Sequence, residues 1–173
     1  MDKVTKRMKW KPALGALVLG AGLLAANPVS AEGLEMVVYE HSFQGKRLMH
    51  GEWEQVLEDV ESGSGARFED HTYRCISLTL ARQLEAAVDA CDAAVAAAEV
   101  ASPRVAFDNL LQVERDKRRA MALTNRGVLR VLQGDLAGAR VDFEMATDIS
   151  PRVKAAAANL DLLGADSRLS QIH

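Results

Sequence analysis

No glycine or proline interrupts residues 104–126. These two residue types oppose helix most strongly, so an unbroken stretch of this length is compatible with one long helix. Ser102-Pro103 stands in front of it as an N-cap followed by proline at the first helical position. The helix runs on toward Gln133, where Gly134-Asp135 ends it. Similar punctuation divides the neighbouring chain. Asp70 is a candidate N-cap for a helix with Ile76, Leu78 and Leu80 at its apolar positions, and Leu84, Val88, Cys91 and Val95 line one face of the next. Leu136–Ile149 forms a further helix, stopped by Ser150-Pro151, and Arg152–Leu163 forms the last. Residues 164–173 are left as a frayed tail. The expected fold class is all-α: short antiparallel helical hairpins over residues 67–163.

Residues 34–50 have a different character. Met36-Val37-Val38-Tyr39 favours extended structure, and Gln44-Gly45 reads as a turn. Glu52–Glu61 places Trp53, Val56, Leu57 and Val60 at helical spacing before the flexible linker Ser62-Gly63-Ser64-Gly65. Residues 32–66 thus form a partly extended N-terminal arm with one short strand and one short helix.

Residues 1–31 follow the secretory order. Lys3, Lys6, Arg7, Lys9 and Lys11 precede the uncharged apolar run Ala13–Ala26, and Asn27-Pro28-Val29-Ser30-Ala31 supplies a breaker and small residues for cleavage after Ala31. The apolar run falls well short of the ~20 residues of a spanning helix, so no stable membrane anchor is expected after cleavage. No cysteine lies near the cleavage site, and no twin arginine precedes the apolar run. The expected location is the periplasm or the secreted fraction. Removing the leader leaves 16 basic against 23 acidic side chains, a formal charge of −7. A moderately acidic body without a basic stripe argues against nucleic acid as a partner.

Gly127, Ala139, Phe143, Ala146 and Pro151 stand at offsets of 0, 12, 16, 19 and 24, with the Gly134-Asp135 turn between them. In these residues the chain resembles the tetratricopeptide repeat family, whose 34-residue helix–turn–helix units stack side by side. Small residues let the two helices of a hairpin approach, the aromatic fills the space beside them, and the proline ends the unit. Shifted toward the N-terminus by a 52-residue offset, the frame puts Cys75 at the place of Gly127, Ala87 at that of Ala139, Cys91 at that of Phe143 and Ala94 at that of Ala146, with the turn at Arg82-Gln83. The excess over the period is an insertion around residues 101–118. A third, incomplete copy begins at Lys154, with Asn159 one full period after Asn125, and reads as a cap helix. The resemblance covers residues 68–163 and is closest over 120–153. It departs from the family at Arg126 and Arg130, where apolar and aromatic residues are usual, and only two full units are found. The stretch around Trp53 is a candidate second helix of a degenerate earlier unit.

The resemblance implies a concave groove, lined by the first helix of each unit, that binds a peptide or protein segment. By matched position Thr72, Ile76 and Thr79 face it from the first unit, Thr124, Asn125, Val128 and Val131 from the second, and Asn159 from the cap. The alternative is that these are ordinary surface and core positions. Met121 and Glu69 occupy places where some members carry carboxylate-clamping lysines, so no such clamp is expected. By the same frame Cys75 and Cys91 face each other across the first hairpin. Three readings follow: a disulfide staple, two small core thiols, or a redox pair. An oxidising compartment favours the staple, and the absence of C-x-x-C disfavours redox catalysis.

No nucleophile–base–orienter set, Walker motif, G-x-S-x-G, H-E-x-x-H or dinucleotide fingerprint occurs. His41, Met49 and His50 are too few and too widely spaced for a metal ligand set, and His71 stands alone. Glu52–Glu61 and Glu114–Arg119 read as solvated helix faces. The expectation is therefore a protein–protein interaction module without catalysis, cofactor or metal, with a thiol-based redox accessory using Cys75 and Cys91 as the alternative.

Overall fold

The computed structural model describes residues 5–9, 33–39, 42–63, 67–99 and 108–169. The expected apolar run and cleavage site, Ser64 and Gly65 of the expected linker, the Ser102-Pro103 start signal and residues 170–173 lie outside the described residues. In chain order the elements are β1 (Thr5–Lys9), β2 (Glu35–Tyr39), α1 (Phe43–Met49), α2 (Trp53–Ser62), α3 (Phe68–Leu80), α4 (Leu84–Glu99), α5 (Asp108–Gln133), α6 (Leu136–Ile149) and α7 (Lys154–Leu169). The fold is all-α in class, as the helical periodicity predicts, with β1 and β2 forming a two-stranded antiparallel ribbon. Each helix from α2 to α7 packs against the next. α2 stands against α3 as α4 stands against α5, the place of a second helix in a preceding unit.

The two hairpins α3–α4 and α5–α6 share main-chain hydrogen bonds at their turns, at the 52-residue offset. Arg82 and Gly134 close the two turns in the left-handed region, at φ 61° and 82°. Gln83 N donates to Leu78 O as Asp135 N donates to Arg130 O, and Ala87 N donates to Gln83 O as Ala139 N donates to Asp135 O. The first of these bonds closes the helix C-terminus over a left-handed residue. Glycine suits that residue; Arg82 adopts it against the usual cost of a side chain there. Thr72 Oγ1 bonds Phe68 O, and Thr124 Oγ1 bonds Ala120 O in the same way. The start of α3 at residue 68 therefore corresponds to residue 120, deep inside α5. The described part of the insertion, from Asp108 onward, extends α5 N-terminally by about three turns.

Packing at the hairpin crossings differs between the units. A Cβ added at Gly127 would run into the Phe143 ring, so the aromatic fills the space that glycine leaves. At the matching positions Cys75 and Cys91 are joined by a disulfide, with Cα atoms 4.7 Å apart. A small core surrounds the bridge, formed by Leu78, Ala87, Ala90 and Leu129. Arg126 and Arg130 hold the second crossing from the side. Arg126 grips the buried Asp142 carboxylate through Nε and Nη2 at 2.9 and 2.7 Å and reaches Asp92 of α4 at 2.8 Å. Arg130 Nη1 lies 2.8 Å from Asp142 Oδ2. The Asp142 carboxylate holds the Arg126 guanidinium charged well above its usual range. The two arginines thus join α5 to α6 through the buried Asp142, and Arg126 alone reaches α4 through Asp92.

Asp70 is not the N-cap of α3: Arg67 takes that place, and Asp70 lies in the first turn with its carboxylate accepting from Arg67 N at 3.3 Å. Other elements also differ from the sequence expectation. Gln44-Gly45 lies inside helix α1 rather than in a turn. Ser42 caps that helix, its hydroxyl accepting from Gly45 N at 2.8 Å, and any Cβ at Gly45 would collide with Tyr39 O. Glycine is there for close approach to the end of the strand. At the other end of the chain, α7 continues through Gly164 to Leu169, so residues 164–169 are helical rather than frayed.

Candidate functional site

The surface formed by the first helices of the units is not empty. Strand β2 lies across α5 and α7, with its C-terminal end beside α3. Every residue from Leu34 to Tyr39 is buried. The strand is held mainly through its backbone. Asn159 Oδ1 accepts from Glu35 N at 2.8 Å, and its Nδ2 donates to Glu35 O at 2.9 Å. Asn125 does the same two residues further on, accepting from Val37 N at 2.7 Å and donating to Val37 O at 3.0 Å. A carboxamide suits this task because it presents one acceptor and one donor in a single plane. In an extended strand alternate residues turn their N–H and C=O to the same edge. Asparagines on neighbouring first helices therefore meet residues i and i+2.

The register continues onto α3. At the 52-residue offset Tyr73 takes the place of Asn125. Its hydroxyl is hydrogen-bonded to Ser42 Oγ, and Ser42 in turn donates to Tyr39 O at 3.0 Å. Residues 73, 125 and 159 thus form one row on three successive first helices, and the row holds the arm at residues 42, 37 and 35. Matched position on the repeat frame was the signal for Tyr73, which sequence reasoning passed over in favour of its neighbour Thr72. The Tyr39 ring meets Phe68 edge-on at 6.0 Å between centroids. Burial raises the ionisation of both tyrosine hydroxyls above their usual range, with the Ser42 hydrogen bond partly opposing the effect at Tyr73.

All eight expected groove residues are buried. Asn125 and Asn159 contact the strand directly. Thr72 and Thr124, like Thr79 with Cys75 O, turn their hydroxyls back to carbonyls of their own helices. Ile76, Val128 and Val131 belong to the apolar core that includes β2. None of the eight is presented to solvent as an open groove would present it; the chain's own arm covers this surface. Cys75 and Cys91 are buried as well as bonded.

Among the described residues no group of His, Cys, Asp and Glu is placed to hold a metal ion, and no helix is long and apolar enough to cross a membrane. No protein-family model matches the chain, and neither the curated proteins nor the solved structures contain a significant match.

Proposed function

We propose that this chain is an exported tetratricopeptide-like interaction module, free of catalysis, that grips extended polypeptide by its main chain. One observation carries the reading. Two asparagines at equivalent places on successive first helices each embrace the N–H and C=O of one residue in an extended segment. Main-chain bonds of this kind give affinity with little dependence on sequence. The arm is the resident occupant, and its hold on the groove sets how strongly any other segment must bind. The buried bridge between Cys75 and Cys91 supports the staple over thiol exchange, which needs access to a sulfur.

The test is to weaken the resident and supply it again from outside. Val37→Pro removes the N–H that Asn125 accepts. A synthetic peptide of residues 32–42 is expected to bind that chain and to bind it far more weakly once Asn125→Ala and Asn159→Ala are added. Equal binding with and without the asparagines sinks the groove reading. Export is tested separately by the mass of the mature chain, expected to begin at Glu32. An intact Met1 in the membrane fraction sinks that part.

A further inference from the structure

Strand β2 has two edges with two different neighbours. Glu35 and Val37 give their N–H and C=O to the asparagines of α7 and α5. Strand alternation turns the same groups of Met36 and Val38 to the opposite edge. There β1 pairs antiparallel, with Met8 opposite Met36 and Lys6 opposite Val38. β1 lies within the leader that the export reading removes, so the following step rests on that reading. Without β1 the N–H and C=O of Met36 and Val38 have no strand beside them among the described residues. The strand cannot rotate to hide them, because the inner edge is fixed by two side chains on two helices. A bare edge held in place is a template for another chain.

We infer that the outer edge of β2 is a docking site, uncovered by leader cleavage, for a basic extended segment of a partner protein that pairs antiparallel in the place of β1. Two observations identify the occupant. The strand that fills the site is Thr5-Lys6-Arg7-Met8-Lys9, in which Lys6, Arg7 and Lys9 are basic. The body it sits on has a formal charge of −7 once the leader is gone, from 16 basic and 23 acidic side chains. A second copy of the mature chain brings another −7 to the edge, and like charge opposes that pairing. A basic segment is attracted to it.

The test uses the full chain carrying Lys6→Pro and Met8→Pro. Proline has no N–H, so β1 is released without any cleavage, and the result does not depend on whether export occurs. Amide hydrogen exchange is read at Met36 and Val38, which face the outer edge, and at Glu35 and Val37, which face the asparagines. The first pair is expected to exchange at least about tenfold faster than in the parent, and the second pair to stay slow. A synthetic peptide of residues 3–11 should restore protection at Met36 and Val38. The same peptide with Gln at its Lys and Arg positions should bind at least about fivefold more weakly, and salt should narrow the gap.

Slow exchange at Met36 and Val38 in the variant overturns the inference, since the edge is then not free. Fast exchange at all four overturns it too, because the arm leaves as a unit. Equal binding of the neutral peptide overturns the basic specificity. Concentration-dependent dimerisation of the variant that itself protects Met36 and Val38 makes a second copy the occupant, against the proposal. A mature chain that retains Met1 overturns the uncovering step, while the peptide result judges the edge itself.

Discussion

Asn125→Ala is the perturbation that asks most of the described geometry. The substitution removes an acceptor 2.7 Å from Val37 N and a donor 3.0 Å from Val37 O. Val37 is 2% exposed, so water does not replace the lost partner while the arm stays docked. Each orphaned buried backbone group costs about 1–3 kcal/mol, and two of them cost about 2–6 kcal/mol. That sum is an upper bound, because the arm has a second option. It can leave the groove, and the loss is then limited to the free energy of arm docking. The two outcomes are separable. Denaturant unfolding of the whole chain measures the total loss, and amide exchange at Glu35 and Val37 reports whether the arm remains in place. We expect a loss of at least about 1 kcal/mol, with faster exchange at Val37 than at Glu35, which Asn159 still holds. Asn125→Asp separates the two halves of the carboxamide. It keeps an acceptor for Val37 N but sets a carboxylate against Val37 O, so it should recover only part of the loss. An Asn125→Ala chain as stable as the parent, with Val37 still protected, refutes main-chain gripping as the basis of the site.

The other expectations follow from packing, the bridge and the tyrosines. Gly127→Ala drives a Cβ into the buried Phe143 ring and should destabilise by about 1–3 kcal/mol; an unchanged thermal midpoint contradicts the crossing. Replacing both cysteines by Ala opens a bridge of sequence separation 16 and should cost about 3 kcal/mol on the chain-entropy model, measured by unfolding with and without reductant. Tyr39 and Tyr73 are the only tyrosines in the sequence, and burial raises both above the ordinary 10.0. Folding favours their neutral forms, so their stabilising contribution is full below the unfolded value of 10.0 and is lost as pH rises through the higher folded-state values. Phenolate absorbance should therefore lag behind that of the unfolded chain, and a folded-state midpoint at the ordinary value means that the arm is not docked.

The helical part was readable because its signals are local and repeated. The breaker-free stretch before Gly127, the Gly134-Asp135 turn and the Ser150-Pro151 stop each act on their own few residues. The 52-residue offset was readable for a further reason: packing at a helix crossing restricts which residues stand opposite each other, so Gly127 with Phe143 and Cys75 with Cys91 are two answers to one steric problem. Arg82 was matched to Gly134 by the repeat frame alone, since nothing in an arginine announces a left-handed turn. Helix α1 was misread for a related reason. Gln44-Gly45 looks like a turn when glycine is taken as a source of conformational freedom. Here the glycine is required by the nearness of Tyr39 O, a contact made by the fold and not by the dipeptide.

The occupied groove is where local reading stops. Asn125 and Asn159 were visible as a pair because their spacing equals the repeat period. What lies in the groove was not visible, since Glu35 and Asn159 meet across a sequence separation of 124. Met36-Val37-Val38-Tyr39 read as a strand without a partner. A lone strand in a helical protein has to satisfy its backbone groups somewhere. The asparagine row supplies acceptors and donors at Glu35 and Val37, at the two-residue interval that an extended chain requires. Strand and row are each incomplete alone, and the N–H and C=O of Met36 and Val38 face the other edge. That edge is where β1 pairs.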